Sequence, residues 1–203
     1  MNMPHRDPHQ SGNSNGAVTR AVLESRFRDP SCPHGALYLA AMAELSSEPL
    51  AGKHVLHYSS GTAELGIWMA TEFAEVHLLD ASPSNIAIGL DRAQASGVAR
   101  RVKAIHLTNP ADLDMFADSA FDLVFTRTPL AEIAATPTVF DEITRILKPG
   151  ARLVLTGEQT HDPRQLESVQ RLFGDVQVVP VNGRKRWLPF LKPATGRLIV
   201  AWK

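Results

Sequence analysis

Cysteine is almost absent. The one residue, Cys32, excludes an intramolecular disulfide and leaves no cysteine-based zinc site to build. A reducing, cytoplasmic setting is the simplest fit. Net charge is absent as well: 21 basic and 21 acidic side chains cancel, which argues against a globally basic nucleic-acid partner. Long apolar runs are missing, and none approaches the roughly 18 residues that a membrane span needs. The opening stretch MNMPHRDPHQSGNSNG lacks the apolar core of a secretory signal and reads as a disordered tail over residues 1–17. His5 and His9 lie in it, but an unstructured tail fixes no ligand geometry, so no metal is expected.

What is present is enough apolar residue for one core: 44% of the chain supports a single domain over residues 18–203. Short apolar runs alternate with helical stripes. Strands are expected at His54 to Tyr58, Val76 to Asp80, Val102 to Leu107, Phe121 to Thr126, Arg152 to Thr156, Val176 to Val181 and Leu198 to Trp202. The stretch PHGALYLAAMAEL from Pro33 predicts a helix. In DASPSNIAIGLDRAQASG, Ser82 is a predicted N-cap, Pro83 the first helical residue and Gly97 the stop. Two further helices follow, TVFDEITRILKPG, ended by Lys148-Pro149-Gly150, and HDPRQLESVQRLFG. Strands alternating with helices imply βαβ units and a mainly parallel sheet. Residues 182 to 196 show no helical stripe, so the last two strands are expected to form an antiparallel hairpin.

The stretch KHVLHYSSGTAELG carries the first functional signal. A strand runs into a small-residue loop and then a helix, whose first turn is expected near Thr62 to offer free N–H groups and a positive dipole end. Gly61 lets a ligand approach backbone without a Cβ in the way. Asp80 lies 19 residues further on, where open parallel sheets place a carboxylate that accepts hydrogen bonds from a ribose diol. SSGTAE is not the G-x-G-x-x-G of a dinucleotide-binding dehydrogenase.

These pieces together resemble the class I (seven-β-strand) S-adenosylmethionine (SAM)-dependent methyltransferases. The resemblance runs over VLHYSSGTAELG, HLLDASPSNIAIGLDRA, FDLVFTRTPLAEI and, most specifically, ITRILKPGARLVLTG. It implies a three-layer Rossmann-like α/β sandwich with a seven-stranded sheet, mostly parallel with the last strand antiparallel. It also implies SAM as cofactor, held by His57, Ser59, Gly61, Asp80, Asn109 and Asp112. Departures are informative. His57 stands where the family commonly has an acid, and Ser59 and Ala63 replace the first and last loop glycines, substitutions that are costly where φ is positive. TRTP, from Thr126, is not the Asn-Pro-Pro-aromatic signature of methylases acting on planar nitrogens.

Candidate bases come from the loop after the fifth strand, GEQTH, which holds Glu158 and His161. His34 and Tyr38 precede the first strand, where the family often folds a segment over the cofactor. Trp68 and Met69 sit at core spacing. Charge is uneven: Thr108 to Glu142 holds seven acids and one base, Asp175 to Lys203 six bases and one acid. GRKRW, from Gly183, is a candidate phosphate or nucleic-acid contact set against a plain solvated loop. The leading reading is a methyltransferase with a small-molecule acceptor. A non-catalytic scaffold that kept the fold and a SAM-using enzyme of other chemistry stand beside it.

Overall fold

A computed structural model describes residues 17–32, 35–72, 74–109, 111–128, 130, 133, 136–158, 163–182 and 195–203. Among them lie two N-terminal helices, α1 (Arg20–Arg28) and α2 (Gly35–Leu45), followed by β1 (His54–Tyr58), α3 (Glu64–Thr71), β2 (Glu75–Asp80) and α4 (Pro83–Ala95). A 3-10 turn (Ala99–Arg101) leads into β3 (Val102–His106). Then come β4 (Phe121–Thr126), α5 (Pro137–Ile146), β5 (Leu147–Glu158), α6 (Pro163–Leu172), β6 (Asp175–Asn182) and β7 (Thr195–Trp202).

The seven strands form one sheet in the order β3-β2-β1-β4-β5-β7-β6. Strands β1 to β5 pair in parallel, and β7 runs antiparallel to both β5 and β6. The expected hairpin is therefore present, its closing pair Asn182↔Thr195. The strand order reverses between β1 and β4, which defines the edge where open α/β sheets bind ligands.

Alternation along each strand feeds two cores. On one face Val55, Leu78, Phe125, Val154 and Val200 meet Leu23, Met42 and Trp68 from α1, α2 and α3. On the other, Leu56, Leu79, Val124, Leu155 and Ile199 meet Phe140, Ile143 and Val169 from α5 and α6. Each of these buried side chains contributes on the order of 1.5–3 kcal/mol. Trp68 and Met69 are fully buried, as their spacing predicts.

The helix ends follow their local chemistry. Ser82 caps α4 by accepting from the Asn85 N–H at 3.3 Å, Pro83 takes the first position, and Gly97 (φ +70°) turns the chain out. Two expectations are corrected. Helix α1 lies in a stretch left unassigned by the sequence reading, with Thr19 as its N-cap and Leu23 and Phe27 buried one turn apart. The Lys148-Pro149-Gly150 turn does not cap α5, which stops at Ile146. Leu147 is already extended and pairs with Phe121, and the next register pair is Leu123↔Arg152, so residues 148–151 form a bulge within β5. Lys148 reaches Asp122 at 2.8 Å and the Gly150 N–H donates to the Lys203 carbonyl at 2.9 Å, two contacts that an extended bulge satisfies and a helix end would not.

Candidate cofactor and substrate site

The exit of β1 is a chain of left-handed residues. Ser59 (φ +53°), Gly61 (φ +54°) and Ala63 (φ +62°) alternate with ordinary conformations before α3 begins at Glu64, two residues later than the expected first turn. Only Gly61 takes that conformation at no steric cost; a Cβ there costs roughly 1–2 kcal/mol per residue. The loop is held by several bonds. Ser60 N–H donates to the Leu79 carbonyl at 2.8 Å, Ala63 N–H to the Ser60 carbonyl at 2.9 Å, and Gly61 N–H to Asp80 Oδ2 at 2.6 Å. A Cβ built on Gly61 would meet no atom within 4 Å. The loop therefore leaves open room at Gly61.

Asp80 ends β2 with only 7% of its surface exposed. Its Oδ1 accepts from Ser82 N–H at 2.9 Å and Asn85 Nδ2 at 3.0 Å, and its Oδ2 from Gly61 N–H. Three of a carboxylate's roughly four acceptor positions are filled, leaving one on Oδ2. At the exit of β3, Asn109 Nδ2 donates to Asp112 Oδ1 at 3.1 Å, and both residues are exposed. The Leu107 N–H donates to the Asp80 carbonyl at 2.9 Å and ties this loop to β2. Ser59, Gly61, Asp80, Asn109 and Asp112 thus line one sheet edge across three neighbouring strands. The arrangement fits an adenosine-type ligand, with open backbone at one end and a carboxylate acceptor beside it.

His57 is turned inward. It is 1% exposed, its ring lies 4.8 Å from that of Phe125, and a Cβ on Gly66 of α3 would sit 2.8 Å from its Nδ1. Neither ring nitrogen has a hydrogen-bond partner among the described residues. Burial, aided by the charge of Arg127, pushes its pKa down to about 3, so the imidazole beneath the loop is neutral.

Glu158 is the last residue of β5, in register with Gly196. His161, His34, the GRKRW segment and the histidines of the N-terminal stretch lie outside the described residues. Among the described residues no group of His, Cys, Asp and Glu is placed to hold a metal ion. No helix there is long and apolar enough to cross a membrane.

Several residues at this edge escaped the sequence reading. Glu64, in the first turn of α3, is 14% exposed at its side chain and receives a bidentate pair from Arg26 of α1. Arg92 of α4 approaches the same carboxylate at 3.1 Å and donates to the Thr62 carbonyl. Two arginines from separate helices thus clamp the rim of the loop. Arg127, just after β4, stacks 4.6 Å above the Tyr38 ring and donates to its hydroxyl. Ser60 Oγ and Thr128 Oγ1 are buried without a hydrogen-bond partner among the described residues. An acid at the first turn of a predicted helix was a usable signal for Glu64. Pairing at long sequence separation gave none for Arg26 or Arg92.

Residues 50–194 match the family model of a methyltransferase domain. Demethylmenaquinone methyltransferase of Lactiplantibacillus plantarum is 32% identical over 139 residues, 64% of this chain and 55% of that protein. The chain spans about half the length of the curated relatives it matches. Others of these are named for different acceptors, among them ribosomal protein L11 and phosphoethanolamine. In structure the chain is similar to precorrin-6y C5,15-methyltransferase of Geobacter metallireducens (TM-score 0.63, 20% identity, 81% of this chain and 86% of that one). It is also similar to the [4+2]-cyclase SpnF (TM-score 0.67, 19% identity, 83% and 80%). With the domain match covering well over half of its length, the chain belongs to the class I SAM-dependent methyltransferase family, whose cofactor is S-adenosylmethionine.

Proposed function

We propose that this chain is a SAM-dependent methyltransferase acting on a small-molecule acceptor. One observation carries the reading: three residues at the exit of β1 take the left-handed conformation although two of them, Ser59 and Ala63, are not glycine. Strain of this kind persists where the surrounding structure over-determines it, and it clusters at ligand sites. When bound, SAM supplies an electrophilic methyl group on a positively charged sulfur.

In this reading the chain positions and excludes water. Gly61 admits the cofactor to the loop backbone, and Asp80 Oδ2 offers its remaining acceptor position to a ribose hydroxyl. Asn109 and Asp112 border the adenine end, with His57 as neutral support underneath. Glu158, at the same edge, and His161, which follows it in the chain, are the candidates to take a proton from the acceptor. A second reading, the non-catalytic scaffold, is favoured by Asp80 itself, because its carboxylate already serves three donors that hold the loop to α4. The fold likeness to a cyclase supports a third, SAM-dependent binding with other chemistry.

Calorimetry with SAM and S-adenosylhomocysteine separates the scaffold reading from the other two. Methyltransferase and other SAM chemistry both require binding, and Asp80→Ala should then weaken it by about 1–3 kcal/mol. No heat with either ligand, from protein of intact fold, would leave the scaffold reading. Unchanged affinity in the Asp80 variant would show that this carboxylate does not hold the ribose.

A further inference from the structure

We propose that Arg127 anchors an oxyanion of the acceptor, a carboxylate or phosphate, which makes the substrate class small anionic molecules. The inference rests on the methyltransferase reading and deepens it. Among the described residues three arginines stand at this end of the sheet, and two are matched: Arg26 and Arg92 share Glu64. Arg127 is exposed and pairs with no carboxylate among the described residues. What holds it is Tyr38, whose ring lies under the guanidinium and whose hydroxyl accepts from Nη2. A planar guanidinium fixed on an aromatic face is pre-organised for an oxyanion and loses little further freedom on binding one.

Two buried hydroxyls belong to the same pair of strand exits. Thr128 Oγ1, on the adjoining residue, and Ser60 Oγ, at the exit of β1, lie in residues 8% and 2% exposed and have no hydrogen-bond partner among the described residues. β1 and β4 are neighbours in the sheet, with Tyr58 opposite Thr126, so both exits open at the point where strand order reverses. Buried hydroxyls without partners cost free energy unless something supplies the bond.

The acceptor is the source of the anion that the layout favours. The candidate cofactor residues follow β1, β2 and β3, on one side of the switch point. Arg127 follows β4, on the other side. No carboxylate among the described residues pairs with it there.

The test begins with S-adenosylhomocysteine, titrated by calorimetry into the wild type and Arg127→Gln. Each saturated protein is then titrated with benzoate and phenyl phosphate, with neutral benzamide as the matched control. Wild type should bind at least one anion about ten-fold or more tighter than benzamide. Arg127→Gln should lose that preference with its melting temperature unchanged, and Arg127→Lys should keep part of it. Equal binding of anions and benzamide, or a preference that survives in Arg127→Gln, overturns the proposal. So does an Arg127→Gln variant that weakens S-adenosylhomocysteine but not 5′-methylthioadenosine, which would give Arg127 to the cofactor's own carboxylate. If wild type fails to bind S-adenosylhomocysteine, the methyltransferase reading falls, and the anion titration on the ligand-free chain still decides whether Arg127 is a receptor.

Discussion

The chain turns through the left-handed region in two kinds of place, and it fills them differently. Gly52 and Gly97 (φ +73° and +70°) sit at plain connections and Gly150 (φ +75°) in the β5 bulge, each with open space where a Cβ would be. At the exit of β1 the same region is taken by Ser59 and Ala63, with only Gly61 between them. Away from that exit glycine takes three of the four left-handed positions among the described residues, and Ser119 (φ +56°), ahead of β4, takes the other. Where the turn would face a ligand, strain of roughly 1–2 kcal/mol per residue is held by what surrounds it. Ala63 shows how. Its Cβ lies where a Cβ on Gly89 would come within 3.2 Å of it, so the room that α4 gives up at Gly89 is the room Ala63 uses.

The comparison can be broken most forcefully from beneath the loop. His57 has a pKa near 3 in the folded chain against about 6.5 when unfolded. The unfolded state therefore takes up a proton that the folded state refuses. Stability is complete above pH 6.5 and drains away as pH falls from there toward 3. By pH 4 this one residue should cost about 3 kcal/mol. His77, pushed down to about 4 mainly by burial, adds in the same direction. Urea unfolding of the wild type and His57→Leu at pH 7 and 4 checks this; parallel losses in the two proteins would refute it.

Next in size is the contrast between Gly61 and Gly97. Alanine at either should cost about 1 kcal/mol of stability, since both have positive φ and open space. Only Gly61→Ala should also lower affinity for S-adenosylhomocysteine, by about ten-fold or more, as the new methyl enters the ligand's approach. Equal affinities in the two variants would make the β1 exit an ordinary turn.

Gly89→Ala sharpens the account of Ala63. Alone it should destabilise by about 1–2 kcal/mol, because the new Cβ meets Ala63 and Leu78, each at 3.2 Å. In an Ala63→Gly background the same change should be nearly neutral, a coupling of about 1 kcal/mol in a double-mutant cycle. Additivity would mean that the two positions do not share the space.

The smallest effect is at Ser59. It is exposed, so Ser59→Gly removes strain without losing packing, and it should raise stability by about 0.5–1 kcal/mol after the added entropy of the unfolded glycine. Ala63→Gly should gain nothing, because the lost burial of its methyl, about 0.8 kcal/mol, offsets the relief. Thermal unfolding of the two variants distinguishes these outcomes.

Much of the fold was legible because its signals are local. Strand β1 and strand β4 have the bounds that their apolar runs predict, and Ser82-Pro83 opens α4 by chemistry contained in two residues. Helix α1 was not legible. Four of its nine residues are charged, and its two buried residues, Leu23 and Phe27, make a stripe only one turn long. The Lys148-Pro149-Gly150 turn misled because the same residues suit a helix end and a bulge, and the choice falls to long-range contacts with Asp122 and Lys203. At the site, Gly61 and Asp80 were visible from spacing. The clamp of Arg26 and Arg92 on Glu64, and the seat of Arg127 on Tyr38, join residues 28 to 89 positions apart. No periodicity reports such pairs.

The placement of β7 between β5 and β6 sets an order on folding. Strand β6 touches the sheet only through β7, so it cannot dock when it emerges from synthesis and must wait for the strand that follows it. Until then β5, whose eventual partners Glu158↔Gly196 and Arg152↔Trp202 lie 38 and 50 residues apart, presents an open edge rich in apolar residues. Closing loops of that length is slow relative to local pairing, and an unpaired edge invites other chains. The vulnerable species in expression of this protein is thus the chain whose first five strands are complete and whose seventh has not yet arrived.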